Sequence, residues 1–176
     1  MAADIMRKRP SSSKRNDGVS GDKRLCRYYA MRTMNRKVRI LFLCTGNSCR
    51  SQVAEGWSHR LKAEELEAYS AGIEKHGLNP LAAWVMAEKG VDISDFTSKN
   101  VDELPEIVFD YVITLCGHAD ETCPVFTGGA KKIHVGFDDP PTLAAGATTQ
   151  EEELVHYRRV RDEIRVFVES LPETLL

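Results

Sequence analysis

Unbroken apolar stretches are few in this chain, and their order sets its architecture. Residues 38–43, Val-Arg-Ile-Leu-Phe-Leu, are apolar at five of six positions, the pattern of a strand buried on both faces. Residues 51–66 follow with helical spacing and predict a helix that turns Val53, Trp57 and Leu61 inward. Residues 67–70 predict a short strand ending at Ala71-Gly72. Asn79-Pro80 opens a second helix that runs through Lys89, with Asn79 as cap, Pro80 in its first position and Gly90 as its stop. Residues 110–116 form the clearest internal strand, and 132–135 a fourth. Thr149 begins a long final helix reaching to about Leu171, with Leu154, Tyr157, Val160 and Ile164 on one face. Strands alternating with helices predict an α/β fold: a single three-layer domain around a four-stranded parallel sheet.

Charge divides the chain in two. Residues 1–37 hold eleven Lys/Arg against three Asp, whereas the remainder is acidic and brings the whole to −2. Residues 1–36 lack apolar periodicity and read as a disordered basic extension; residues 37–176 form the domain. Met31 and Met34, just before the first strand, are alternative starts. A solvated tail needs no nucleic acid or membrane partner. No stretch has the length and apolarity of a membrane span or a signal peptide, so a cytoplasmic monomer is expected. The five cysteines (Cys26, Cys44, Cys49, Cys116 and Cys123) are an odd number. In that setting they suggest reactive thiols rather than a disulfide framework.

The densest chemistry lies between the first strand and the first helix, in Cys44-Thr-Gly-Asn-Ser-Cys-Arg50. A short turn there points backbone N–H groups at one spot, where the helix N-terminus adds positive potential. Thr45, Gly46, Asn47, Ser48, Cys49, Arg50 and Ser51 would bind a tetrahedral oxyanion. Cys44 is the candidate nucleophile, since turn amides, helix dipole and Arg50 all favour a thiolate, and Ser51 can donate to the sulfur. Arg50 would hold two oxygens through its planar fork. Gly46 and Asn47 tolerate left-handed backbone angles. A leaving oxygen also needs a proton. Asp138 and Asp139, in Gly136-Phe-Asp-Asp-Pro-Pro141 after the last strand, are candidates, with a turn or a helix cap as the plainer use of either.

Cys44 and Cys116 each end a predicted strand, so both thiols should open onto one edge of the sheet although they are 72 positions apart. Cys116-Gly-His-Ala-Asp-Glu-Thr-Cys-Pro124 reads as a flexible polar loop carrying a thiol pair. A metal site with His118 and two unrelated cysteines are the other readings; the sharper one is a disulfide formed during turnover.

Leu43-Cys-Thr-Gly-Asn-Ser-Cys-Arg-Ser-Gln52, Tyr69-Ser-Ala-Gly-Ile73, His76-Gly-Leu-Asn-Pro80, Thr114-Leu-Cys116, Cys123-Pro124 and Gly136-Phe-Asp-Asp-Pro140 together resemble the thioredoxin-coupled arsenate reductases, which have the fold of low-molecular-weight protein tyrosine phosphatases. The resemblance covers residue 38 to about 170. It implies a three-thiol relay. Cys44 attacks arsenate, Asp139 protonates the departing oxygen, Cys116 attacks Cys44 and releases arsenite, and Cys123 attacks Cys116. Thioredoxin then reduces the Cys116–Cys123 disulfide, and no metal or organic cofactor takes part. Cys49 supports the turn, Cys26 is incidental, and His76, His118, Trp57 and Trp84 are structural.

Some members of that family bind potassium beside the anion turn. Asn47, Glu55, Ser70 and Thr97 match the ligand positions, but Lys99 stands where those members carry an acid. Its ammonium is expected to take the cation's place and pair with Glu55. Phosphatases of this fold usually have Pro where this chain has Gln52, and aromatic residues where it has Pro141-Thr142-Leu143. A phosphatase, or a sensing module without turnover, are the competing readings. A phosphatase would need only Cys44, Arg50 and Asp139, leaving the two later thiols unexplained.

Overall fold

A computed structural model describes residues 36–126 and 128–175. Four parallel strands, β1 (Val38–Cys44), β2 (Leu66–Gly72), β3 (Tyr111–Thr114) and β4 (Lys131–His134), form one sheet in the order β2-β1-β3-β4. Among the described residues five α-helices accompany them: α1 (Arg50–Leu61), α2 (Pro80–Ala87), α3 (Gly117–Thr122), α4 (Pro140–Ala144) and α5 (Gln150–Glu169). The four successive side chains from Ile40 to Leu43 are completely buried. Because neighbours on a strand point to opposite faces, both faces of β1 are covered, as a central parallel strand requires. Truncating Phe42 there would cost about 3–5 kcal/mol.

The helices hold one another through specific links. Trp57 on α1 donates its indole N–H to the Arg161 carbonyl on α5 at 3.2 Å. The buried Arg161 guanidinium in turn reaches the Val85 carbonyl on α2 at 2.8 Å. Capping follows the sequence. The Asn79 side chain accepts from the Leu81 and Ala82 amides, and Thr149 with Glu152 closes a capping box at the start of α5. Gly90 adopts φ +70° just beyond α2.

Three expectations need correction. The first helix ends at Leu61 rather than 66, and Leu61 is 36% exposed instead of core. Residues 62–65 are good helix formers, but β2 must start at Leu66 to pair with Val38, and a turn closed by Leu66 N–H to the Lys62 carbonyl delivers it there. The segment after β3 is not a loop: six of its residues form α3, with Cys116 at the N-cap and Cys123 just past the end. The third strand stops at Thr114, two residues before Cys116. The expected disorder of residues 1–36, Cys26 and the alternative starts lie outside the described residues except for Arg36. Arg36 is tied to the buried Asp110 at 2.7 Å, so contact with the domain begins one residue before the expected boundary.

Candidate functional site

The strand order reverses direction at β1, since β2 lies on one side and β3 on the other. A crevice forms beyond the carboxyl ends of the strands at such a point. Cys44 closes β1 there, and the chain turns through Thr45–Cys49 into α1. Asn47 takes φ +44°, the left-handed angle that the turn requires and that Asn tolerates better than most residues. The crevice is a cavity of about 310 Å³, lined by Cys44, Thr45, Gly46, Ser48, Cys49 and Arg50 with His76, Asp139 and Pro141 at its rim.

Hydrogen bonds around Cys44 have a direction that can be worked out. The Asn47 carbonyl oxygen Oδ1 accepts from the Lys99 backbone N–H at 2.7 Å, so its Nδ2 faces the other way. That nitrogen donates to Ser51 Oγ at 2.8 Å and to Ser70 Oγ at 2.9 Å. With its oxygen engaged, the Ser51 hydroxyl has its proton free for Cys44 Sγ, 2.9 Å away. Ser70 passes its own proton to Glu55 Oε2 at 2.5 Å. A buried polar chain therefore runs from the thiol to a carboxylate. The Asn47 backbone carbonyl is held as well, by Gln52 Nε2 at 2.6 Å and Ser98 Oγ at 2.6 Å. A proline at position 52 has no such donor. Among the described residues, Gln52 Oε1 is a buried side-chain atom left without a partner.

Lys99 sits where the sequence placed it: its ammonium lies 3.5 Å from Glu55 Oε2. Asn47, Glu55 and Ser70 do converge, but a resident ammonium beside the carboxylate does not fit a potassium ion there as well. Exchanging sodium for potassium at constant ionic strength is expected to move the melting temperature by less than about 1 °C. A larger rise in potassium, read by thermal denaturation, would show that Lys99 gives way.

Arg50 spans the mouth of the crevice. One guanidinium nitrogen donates to the Phe137 carbonyl at 2.9 Å and another to Asp139 Oδ1 at 2.8 Å. Asp139 is both cap and pair: its Oδ2 accepts from the Thr142 amide and hydroxyl at the start of α4. Asp138 points elsewhere, to Arg159 at 2.8 Å, which leaves Asp139 as the carboxyl at the cavity. Cys116 reaches the turn from the β3 side. Its Sγ is 3.3 Å from Thr45 Oγ1, the hydroxyl of the residue that follows Cys44. Cys123 is not in the cavity; α3 separates it from Cys116, and burial pushes its thiol upward. Burial first, then the neighbouring Cys44, push the Cys49 thiol strongly upward, so it stays protonated while lining the wall.

The sequence reading made His76 structural and placed neither Phe137 nor Pro141 at the anion turn. The His76 N–H donates to the Gly46 carbonyl, and a Cβ on Gly46 would lie 2.3 Å from the His76 ring. His76 thus covers the turn, and glycine is what lets it come so close. The only sequence signal was its place in His-Gly-Leu-Asn-Pro. Phe137 acts through its backbone, which no side-chain pattern reveals.

The sequence matches the low molecular weight phosphotyrosine protein phosphatase family over residues 39–175. The chain belongs to that family. Within it the chain is similar to proteins named arsenate reductase. It is 50% identical to one from Halalkalibacterium halodurans over 80% of this chain and 99% of that protein, and 48% identical to one from Bacillus subtilis with the same coverage. An arsenate reductase solved in a phosphate-binding state superposes with a TM-score of 0.60 at 30% identity, covering 79% of this chain and 99% of that one. A phosphatase of the family from T. tengcongensis gives 0.62 at 26% identity, covering 78% and 99%. Among the described residues no helix of this phosphatase-fold protein is long and apolar enough to cross a membrane.

Proposed function

We propose that this protein reduces arsenate to arsenite by a relay of three thiols, contributing to arsenic detoxification, with thioredoxin as the final electron donor. The observation that carries the reading is the approach of Cys116 Sγ to Thr45, the chain neighbour of Cys44, joined to about half-identity with arsenate reductases over nearly the whole family region. Cys44 as thiolate attacks the arsenic atom while the turn amides and Arg50 hold the remaining oxygens. Asp139 gives its proton to the departing oxygen, which leaves as water. Cys116 then attacks Cys44 Sγ: the S–S bond forms, the S–As bond breaks, and its electron pair stays on arsenic, which departs as arsenite. Cys123 attacks Cys116 Sγ and frees Cys44. A donor dithiol reduces the Cys116–Cys123 disulfide, so two electrons enter for each arsenate reduced.

The last step demands motion. Seven residues along a helix span ~10 Å at its rise of 1.5 Å per residue. A disulfide needs Cα atoms within about 7 Å. Helix α3 therefore has to unwind before Cys123 can reach Cys116, and unwinding also brings the disulfide toward solvent.

The test is NADPH consumption on adding arsenate, with thioredoxin and thioredoxin reductase present. Wild type is expected to turn over, and Cys123→Ser to stop after one cycle with Cys44 linked to Cys116. Equal steady rates would overturn the relay. A slow hydrolysis of aryl phosphates is also expected, because phosphate shares the shape and charge of arsenate. Cys116→Ser should keep that hydrolysis and lose multiple turnover of arsenate.

A further inference from the structure

We infer that Asp120, Lys132 and Thr114 form a latch that holds α3 wound in the reduced protein and thereby sets the potential of the Cys116–Cys123 pair. The inference rests on the relay proposed above. A helix of six residues does not hold itself in water. Besides its own ladder, α3 is tied by the Asp120 N–H to the Cys116 carbonyl at 3.0 Å and by Thr122 Oγ1 to the His118 carbonyl at 2.6 Å. On the core side only Ala119 is fully buried. The remaining grip falls on one residue, Asp120. Its Oδ1 accepts from the buried Thr114 hydroxyl on β3 at 3.0 Å and from the Lys132 ammonium on β4, also at 3.0 Å.

Lys132 does a second thing. It donates to the Asp120 backbone carbonyl at 2.8 Å. In a continuing helix that carbonyl would accept from the amide four residues on, which belongs to Pro124 and does not exist. Pro124 also disfavours a helical Cys123, whose ψ is +122°. The proline ends the helix at the resolving thiol, and Lys132 occupies the acceptor thus left open. Thr114 has one proton and three neighbours. An ionised Asp120 can only accept, so the proton goes there, and His134 Nδ1, 3.0 Å from the same hydroxyl, is then the donor to Thr114. Lys132 and Thr114 hold the Asp120 carboxyl below its usual range, consistent with that assignment.

Unwinding α3 to form the disulfide pulls Asp120 away from Lys132 and Thr114, so the latch favours the dithiol. Weakening it should favour the disulfide. The test uses the full chain as wild type, Asp120→Asn, Lys132→Met and the double variant. Hydrogen exchange of the 117–122 amides in the reduced proteins reads winding. Titration in dithiothreitol buffers, with the Cys116–Cys123 peptide quantified by mass, reads the potential. Each single variant is expected to exchange about tenfold faster at these amides, with a midpoint about 30 mV more negative, the shift for a tenfold change in equilibrium constant. The double variant should add little to either single. Unchanged exchange and potential in both singles would overturn the latch. A wild type that forms no Cys116–Cys123 disulfide would overturn the relay instead, and the exchange comparison would still decide the latch.

Discussion

Replacing Arg50 by lysine should lower kcat/KM for arsenate by about a hundredfold to a thousandfold. The side chain is only 12% exposed and works at two points at once, the Phe137 carbonyl and the Asp139 carboxylate. An arriving oxyanion would compete for the same fork. Two parallel donors fixed in a plane can hold two oxygens and still leave a nitrogen for the acid loop. Lysine offers one nitrogen and reaches one point. Its charge survives, so the loss measures geometry rather than attraction. A variant keeping more than about a tenth of wild-type activity would mean that charge alone suffices.

Gly72→Ala should both destabilise the fold and empty the site. A Cβ at position 72 would lie 2.4 Å from the Glu74 carbonyl oxygen, 2.7 Å from the Asn47 nitrogen and 2.7 Å from the Thr45 carbonyl oxygen. All three are backbone atoms, so no side chain can swing aside. Two of them belong to the anion turn, which is bonded to the same segment by Ile73 N–H to the Cys44 carbonyl and Glu74 N–H to the Thr45 carbonyl. Overpacking of this kind costs about 3 kcal/mol, or roughly 6–12 °C in melting temperature. Thermal melts with and without arsenate read both effects. The variant should melt earlier and gain nothing from arsenate; an unshifted melt that still rises with arsenate would show that the turn can yield.

Legibility in the sequence depended on how local each cause was. β1, the cap at Asn79 and the start of the last helix at Thr149 are local, and the structure has them where the residues put them. The helix over 51–66 failed at its end because the register of β2 against Val38, a tertiary matter, overrode good local propensity. Helix α3 was read as a loop because Gly117 and Pro124 bracket a segment too short for periodicity to show; its support comes from Lys132 and Thr114, distant in sequence. At the site, the Cys44 turn and Arg50 were readable from residue type and spacing. The residues alone left Asp138 and Asp139 open and only the family resemblance pointed to Asp139; the structure adds that Arg159 takes the first and Arg50 the second. Contacts made by backbone alone, such as Phe137 with Arg50, leave no mark on a sequence.

The strand order has a consequence for biosynthesis. The central strand β1 is also the first of the four described strands to be made, and the carbonyl that anchors Arg50 lies at Phe137. Asp139 comes ninety-five positions after Cys44. At about 5–20 residues per second a ribosome needs roughly 5–19 s to add them. Throughout that interval the nascent chain has its proposed nucleophile but not its proposed acid. A product released before Gly136 keeps that thiol and can never complete the pocket, so the chemistry arrives only with a nearly finished chain.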